Sequence, residues 1–405
     1  MENRYDKYKD SGIAWIGEIP EHWKVKKGKN LFKKEERPVR DNDEIVTCFR
    51  DGEVTLRSNR RIDGFTNAMK EVGYVRRGDL VIHNMDAFAG AIGVSDSDGK
   101  STPVYSVCTP KNNVEANVYY YAYLLRSYAL GGVIQSLAKG IRERSTDFRY
   151  KEFGDLYYQQ PPIEEQQSIA SYLDQKCGEI DKLITLQEEM ITKLQSYKQS
   201  VITEAVTKGL DKNVPLKDSG IEWIGEIPEH WSVVKIKYLA KIKSGDSISS
   251  NEIMQEGIYE VYGGNGLMGF CNKKNVDGVN IIIGRVGALC GNVRLISESK
   301  FITDNALILN CFDNALYSYM YIMLKAANLN NLNTSNAQPL ITGSKVLNVS
   351  LPIPPLSEQQ SIADYLDQKC SEIDELISIK QQKIEKLKDY KKSLIFECVT
   401  GKRKV

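Results

Sequence analysis

Fifteen residues of this chain are written twice. KDSGIAWIGEIPEHW at 9–23 returns as KDSGIEWIGEIPEHW at 217–231, with Ala14 exchanged for Glu222. A longer pair accompanies it, PPIEEQQSIASYLDQKCGEIDKLI at 161–184 and PPLSEQQSIADYLDQKCSEIDELI at 354–377. The register runs on without a gap to residues 208 and 401, with 29 of 48 positions identical. A long internal repeat fixes the order of parts before any local pattern is considered. That order is arm, block and long segment, twice over. The blocks themselves, residues 24–160 and 232–353, scarcely resemble each other in sequence. The chain thus divides into a first arm and block over 1–160, a long segment over 161–209, a second arm and block over 210–353, and a second long segment over 354–405. With 405 residues, more than one core is expected.

The long segments read as helices. Leu173, Ile180, Leu194 and Val201 fall at seven-residue steps, as do Leu366, Ile373, Leu387 and Leu394. Leu183, Met190 and Tyr197, with Leu376 and Tyr390, are assigned to an adjoining row of the seam, which Gln187 and Lys380 interrupt. Pro161-Pro162 and Pro354-Pro355 block helix upstream, and Ser357 with Gln360 suits a capping box. Gly209 and Gly401 stand where the helices should stop. A helix of about 42 residues is roughly 63 Å long. Two such helices, each with one apolar stripe, bury those stripes most simply against each other. The alternative is that each packs on its own block.

The blocks read as mixed α+β domains. GDLVIHNMDAFAGAIGV at 78–94 and GVNIIIGRVGALCGNV at 278–293 share a strand, a polar turn and a small-residue strand. Tyr119 to Leu125 and Leu316 to Leu324 read as helices rich in tyrosine. The fold class is therefore α+β: two mixed domains and two long helices in a pseudo-two-fold internal repeat.

Several chemistries are excluded. No apolar run approaches the ~20 residues that span a bilayer, and the opening MENRYDKYKD is polar and carries acids, unlike a secretory signal. Eight cysteines without a CxxC pair, beside three histidines, point to reduced thiols in a cytoplasm rather than a zinc site. GNGLMG at 264–269 matches GxGxxG but precedes no helix, so it reads as a glycine-rich turn. GVSDSDGKS at 93–101 has five residues between its glycines where a phosphate loop needs four. The Pro-Pro pairs lack the flanking Asp or Asn and aromatic of an amino-methyltransferase motif. His22 and His230, each before a tryptophan, suit packing or a turn. No catalytic grouping stands out, so the chain is expected to be non-catalytic by itself, with no cofactor and no metal site of its own.

A repeated frame suits one partner surface met twice, and divergent blocks suit two different targets. If the targets are DNA, the site is split and asymmetric, as half-site spacing implies for dimeric binders. A protein-binding adaptor without nucleic acid could use the same plan, and an unrecognised enzyme would need its site in one of the blocks. The P-P-[IL]-x-E-Q-Q segments opening both helices, the W-I-G-E-I-P-x-H-W arms and the YGGNGLMGF…GRVGALCG stretch resemble the specificity subunits of type I restriction-modification systems. The resemblance covers essentially the whole chain. It implies two target-recognition domains held by an antiparallel helical pair, each reading half of a bipartite double-stranded DNA site in the major groove. It further implies two modification (methyltransferase) subunits docked on the helical frame, with restriction subunits joining them. S-adenosylmethionine, ATP and Mg2+ then belong to those partner subunits, and the complex works in the cytoplasm with no membrane.

Net charge is only +1, so any DNA surface must be local. Residues 24–160 hold 23 Lys or Arg against 18 Asp or Glu; residues 232–350 hold 11 against 8, and residues 161–217 hold 7 against 9. The sign favours DNA on the blocks. In the first block the candidates are Arg57, Arg60 and Arg61, with His83 and Asn84, and Arg142 with Arg144. In the second they are Asn265, Lys273, Lys274, Arg285 and Asn305, since Arg forks suit guanine and phosphate while Asn suits adenine. The frame candidates are the seam residues Leu173, Ile180, Leu194, Leu366, Ile373 and Leu387, and the arm residues Trp15, Trp23, Trp223 and Trp231. Those tryptophans, with Ile16, Ile19, Ile224 and Ile227, are expected to pack on the chain's own core.

Overall fold

The structure is a computed structural model that describes residues 4–39, 42–60, 73–137, 148–287, 289–313, 317–333 and 339–405. The chain parts into two units, Met1–Gln187 with Gln382–Val405, and Glu188–Gln381.

Both long segments are single helices, Ile163–Lys208 and Leu356–Val399, of 46 and 44 residues. Proline cannot continue a helix from its N-terminal side, and each helix starts within two residues of its Pro-Pro pair. Gly209 and Gly401, both at φ +74°, take the left-handed turn that closes the C-terminal ends. The expected capping box at Ser357 does not form. The prolines start the helix before Ser357 reaches a capping position, and the Gln360 amide donates instead to Asp364 Oδ1 at 2.8 Å. The neighbouring Gln359 does the local work: buried, it donates to Pro354 O at 2.8 Å. Gln166 makes the same bond to Pro161 O, also at 2.8 Å.

In the first unit Asp181 pairs with Lys391 at 2.7 Å, and Tyr172 lies near Arg403, so the two helical segments run antiparallel. In the second unit Lys198 pairs with Asp374 at 2.6 Å, and Lys380 Nζ reaches Met190 Sδ at 3.3 Å, again antiparallel. Leu173, Ile180, Leu366 and Ile373 are buried, and Leu194 and Leu387 are partly so. The adjoining row is a correction. Leu183, Met190, Tyr197, Leu376 and Tyr390 are exposed. The seam alternates steps of four and three, so its second row is Cys177, Ile184 and Ile191, and in the repeat Cys370, Ile377 and Ile384. Gln187, read as an interruption, is buried in that same series.

The helices pack on the blocks as well as on each other. One core joins Trp23, Phe32, Ile82 and Tyr121 to Leu173, Ile180 and Leu394. The other joins Trp231, Ile281, Leu309 and Met320 to Val201 and Leu366. Although the blocks differ in sequence, each is built on a four-stranded antiparallel sheet of one order. The first runs Phe32–Lys34, Tyr105–Pro110, Leu80–His83, Ile92–Val94. The second runs Ala240–Ser244, Ala306–Cys311, Asn280–Gly284, Val293–Ile296. A tyrosine-rich helix follows in each, Val118–Leu130 and Tyr317–Ala326. The tyrosines answer an unmet need of the frame, since the last carbonyls of a helix have no partner within it. Tyr120 donates to Val399 O at 3.0 Å, near the end of one long helix; at the matching place of the other, the Tyr319 hydroxyl lies 3.4 Å from Val206 O and closer, at 3.0 Å, to Pro352 O. Beside the second sheet stands a three-stranded one, Gly266–Cys271, Tyr259–Gly263 and Phe301–Ile302.

Each arm is a short hairpin, Tyr8–Asp10 with Glu18–Pro20 and Leu216–Asp218 with Glu226–Pro228. Its tryptophan is clamped between the start of one long helix and the end of the other. Trp23 Nε1 and His22 Nε2 meet the Glu165 carboxylate at 2.5 and 2.9 Å, and Gly401 lies under the Trp23 ring. Trp231 and His230 meet Glu358 at 2.9 and 2.7 Å, and Gly209 lies under Trp231. The arms also carry a correction. Ile16, Ile19, Ile224 and Ile227 are buried with Trp23 and Trp231, but Trp15 and Trp223 are 44% and 40% exposed. They sit on the turn of the hairpin, half exposed, with the Trp15 indole in hydrogen-bonding reach of Tyr128. Trp23→Ala or Trp231→Ala should therefore lower the stability of its own unit by about 3–5 kcal/mol. Trp15→Ala should change it by less than about 1 kcal/mol. Hydrogen exchange resolved by segment, across a denaturant series, measures both.

Candidate nucleic-acid interface

The basic candidates divide by what already holds them. Arg60 pairs with Asp51 at 2.6 Å and Glu53 at 3.1 Å, and lies over the Phe49 ring. Arg57 Nε donates to Thr47 Oγ1 at 3.3 Å. Lys273 pairs with Glu252 at 2.6 Å, and Lys274 with Asp277 at 2.5 Å. The Lys273 ammonium, with the Ser249 N–H and hydroxyl, pulls Glu252 down to about 2. Exposed pairs of this kind contribute little, so a phosphate can exchange for the carboxylate at little cost. Arg61, Arg142 and Arg144 lie outside the described residues.

His83 and Asn84, at the end of Leu80–His83, turn inward more than their place in a polar turn suggests. Burial holds His83 below the ordinary histidine range, opposed by nearby Asp86. Its Nδ1 accepts the Asp86 N–H at 3.1 Å, which leaves the proton of the neutral ring on Nε2. Asn84 is 8% exposed, and its Oδ1 accepts the Ser106 hydroxyl at 2.8 Å. This side chain serves the sheet.

The second block brings three of its candidates together. Asn265 is at the tip of the hairpin joining Tyr259–Gly263 to Gly266–Cys271, Arg285 follows Asn280–Gly284, and Asn305 precedes Ala306–Cys311. Arg285 N–H donates to Asn305 O at 3.0 Å, and Arg285 Nη1 to Ser244 Oγ at 3.4 Å. Asn265 and Asn305 are both exposed. Lys273 and Lys274 follow the far end of Gly266–Cys271 and do not join this group. Sequence reasoning missed Ser244 and Arg294, the latter donating to Gly264 O and Asn265 O at 3.4 and 3.0 Å. It also quoted Glu165 and Glu358 without a role. The signal there was an E-Q-Q invariant between the two copies while the preceding residue changed from Glu164 to Ser357.

No group of three His, Cys, Asp or Glu among the described residues is placed to hold a metal ion. The cysteines are free thiols, and burial pushes Cys48, Cys311 and Cys398 up to about 12 and raises Cys108 as well. The thiolate is the reactive form. Iodoacetamide at pH 8 should therefore spare Cys48, Cys108 and Cys398 in the native chain and modify all three after denaturation. Peptide mapping reads this directly, and native labelling of Cys108 would contradict its burial.

Residues 228–389 match the family described as the type I restriction modification DNA specificity domain. The chain is 27% identical over 435 residues to a putative type I restriction enzyme specificity subunit of Methanocaldococcus jannaschii, MjaX, with 96% of each chain covered. A second specificity subunit of that organism, MjaVIII, is 26% identical over 73% of this chain and 72% of its own. Residues 228–389 thus carry the specificity domain, and nearly the whole chain is similar to a type I specificity subunit. Two solved structures share its fold. One, from a study of complex assembly and conformational transition of the type I restriction-modification system, aligns at TM-score 0.75 with 17% identity, over 94% of this chain and 98% of the other. The HsdS subunit of Thermoanaerobacter tengcongensis aligns at TM-score 0.55, also with 17% identity, over 95% of this chain and 98% of its own. Identity that low speaks to fold alone.

Proposed function

We propose that this chain recognises DNA sequence for a type I restriction-modification complex, each block reading one half of a split, asymmetric site. The observation that carries the reading is the pairing of a duplicated frame with unlike blocks. The same indole–imidazole–carboxylate clamp occurs in both units, while the turns at the sheet ends carry different side chains. Similarity to a type I specificity subunit over nearly the whole chain supports this reading and gives the protein-only adaptor no support. Two modification subunits dock on the frame, one for each copy of the repeat, and restriction subunits join them. S-adenosylmethionine, ATP and Mg2+ act on those partners. The complex works in the cytoplasm, and no helix among the described residues is long and apolar enough to cross a membrane.

The test is a map of methylated adenines across the genome with and without this gene, its partner genes present. Loss of one split, asymmetric motif on deletion is the expected result. An unchanged map in a host that expresses the partners would sink the reading.

Spacing offers a second test. Each long helix is unbroken over its 46 or 44 residues. Inserting four residues into both adds about 6 Å. Base pairs stack at about 3.4 Å. The unread spacer of the methylated motif should lengthen by roughly two base pairs, with both half-sites unchanged. A motif with its original spacer would remove the ruler role from the helices.

A further inference from the structure

The three turns that meet at one end of the second unit's four-stranded sheet carry side chains that the fold does not use. Asn265 and Asn305 are exposed, and neither amide has a side-chain hydrogen bond among the described residues. Arg285 reaches only Ser244 Oγ, at 3.4 Å, and its Nε is buried with no acceptor. No carboxylate among the described residues pairs with this guanidinium, unlike Arg60, Lys273 and Lys274. A buried N–H without a partner costs free energy, so it is kept only where something else holds the group in place.

Glycines bring the turns together. A Cβ at Gly264 would stand 2.7 Å from Asn305 O, and a Cβ at Gly284 2.6 Å from Gly264 O. Only a residue without a side chain lets the 263–266 turn close on the other two. Arg294 then fixes the hairpin tip through the backbone oxygens of Gly264 and Asn265, which leaves the Asn265 amide unspent. The cluster lies at the Ser244 end of Ala240–Ser244, the end away from the arm-side strand Ser232–Lys235. Leu267 and Met268, on the same tip, are each 52% exposed.

A guanidinium with no carboxylate partner among the described residues, on turns that also carry two exposed amides, is a donor and acceptor set that matches base edges. An arginine fork spans guanine O6 and N7, an asparagine amide spans adenine N6 and N7, and small apolar groups meet the thymine methyl. We propose that Asn265, Arg285 and Asn305 are the base-reading set of the second unit, the arginine on a guanine and the asparagines on adenines. The proposal rests on the DNA-recognition reading above and assigns it to particular side chains.

The experiment is methylation mapping in cells that express the whole modification complex with Arg285→Ala, Asn265→Ala or Asn305→Ala. Each bidentate contact discriminates by about 5- to 150-fold. Each variant should lose selectivity by that factor at one base pair of a single half-site, a G·C pair for Arg285→Ala and an A·T pair for either asparagine. The other half-site and the spacer should not change, and Arg285→Lys should restore part of the guanine preference. Motifs identical to wild type in all three variants would overturn the assignment while leaving DNA recognition intact. A wild-type complex whose methylation does not depend on this chain would overturn the reading beneath it. If a variant abolishes methylation, binding of its complex to duplexes substituted one pair at a time decides. Affinity lost equally for every sequence would mark a structural or phosphate role and reject base reading.

Discussion

Everything in each unit depends on one carboxylate near the start of a long helix. Glu165 and Glu358 each accept an indole N–H and meet an imidazole from an arm about 130–140 residues earlier. Hydrogen bonds to a charged acceptor contribute about 1.5–3 kcal/mol, more than neutral ones. The location matters as much as the strength. A carboxylate in the first turn also answers the unpaired N–H groups and the positive end of the helix dipole. The clamp seats the buried Trp ring against the glycine that closes the other long helix, so a side chain there would collide: at Gly401 a Cβ would lie 2.4 Å from Pro20. One interaction thus ties arm, helix start and helix end in a single packed place, and it is made twice.

That division of labour explains how unlike sequences come to rest on one sheet order. The residues facing the frame are constrained by the shared cores, and the Tyr120 and Tyr319 hydroxyls take matching places near the helix ends. The turns beyond the sheet meet no such constraint. In the first unit they spend their polar groups internally, as Asn84 does on Ser106. In the second, the Asn265 and Asn305 amides have no side-chain hydrogen bond among the described residues, and Arg285 has one long contact, to Ser244 Oγ at 3.4 Å.

Much of this was legible in the sequence, for physical reasons. The repeat, the Pro-Pro starts and the glycine stops are local signals, and they located both long helices. The heptad step placed Leu173, Ile180, Leu366 and Ile373 correctly but took the second row at a step of three, through Leu183 and Met190, where the fold uses a step of four. Leu183 and Met190 are as apolar as Ile184 and Ile191, so composition could not choose; the partner helix does. Trp15 and Trp23 share an arm, and only the fold shows that one is buried and the other is not. Charge was the weakest guide. Arg60, Lys273 and Lys274 look like free cations in the sequence, but each meets an acid, two of them from residues more than six positions away. The capping box at Ser357 failed because a stronger stop signal, the prolines, already set the helix start.

The central claim is that a repeated frame carries two independent readers. The most direct measurement replaces residues 232–353 with a second copy of residues 24–160 and maps methylation by the resulting complex. The first half-site should then appear twice in the methylated motif, around an unread spacer. Retention of the original second half-site would contradict the claim, because recognition would then reside in the frame rather than in the blocks.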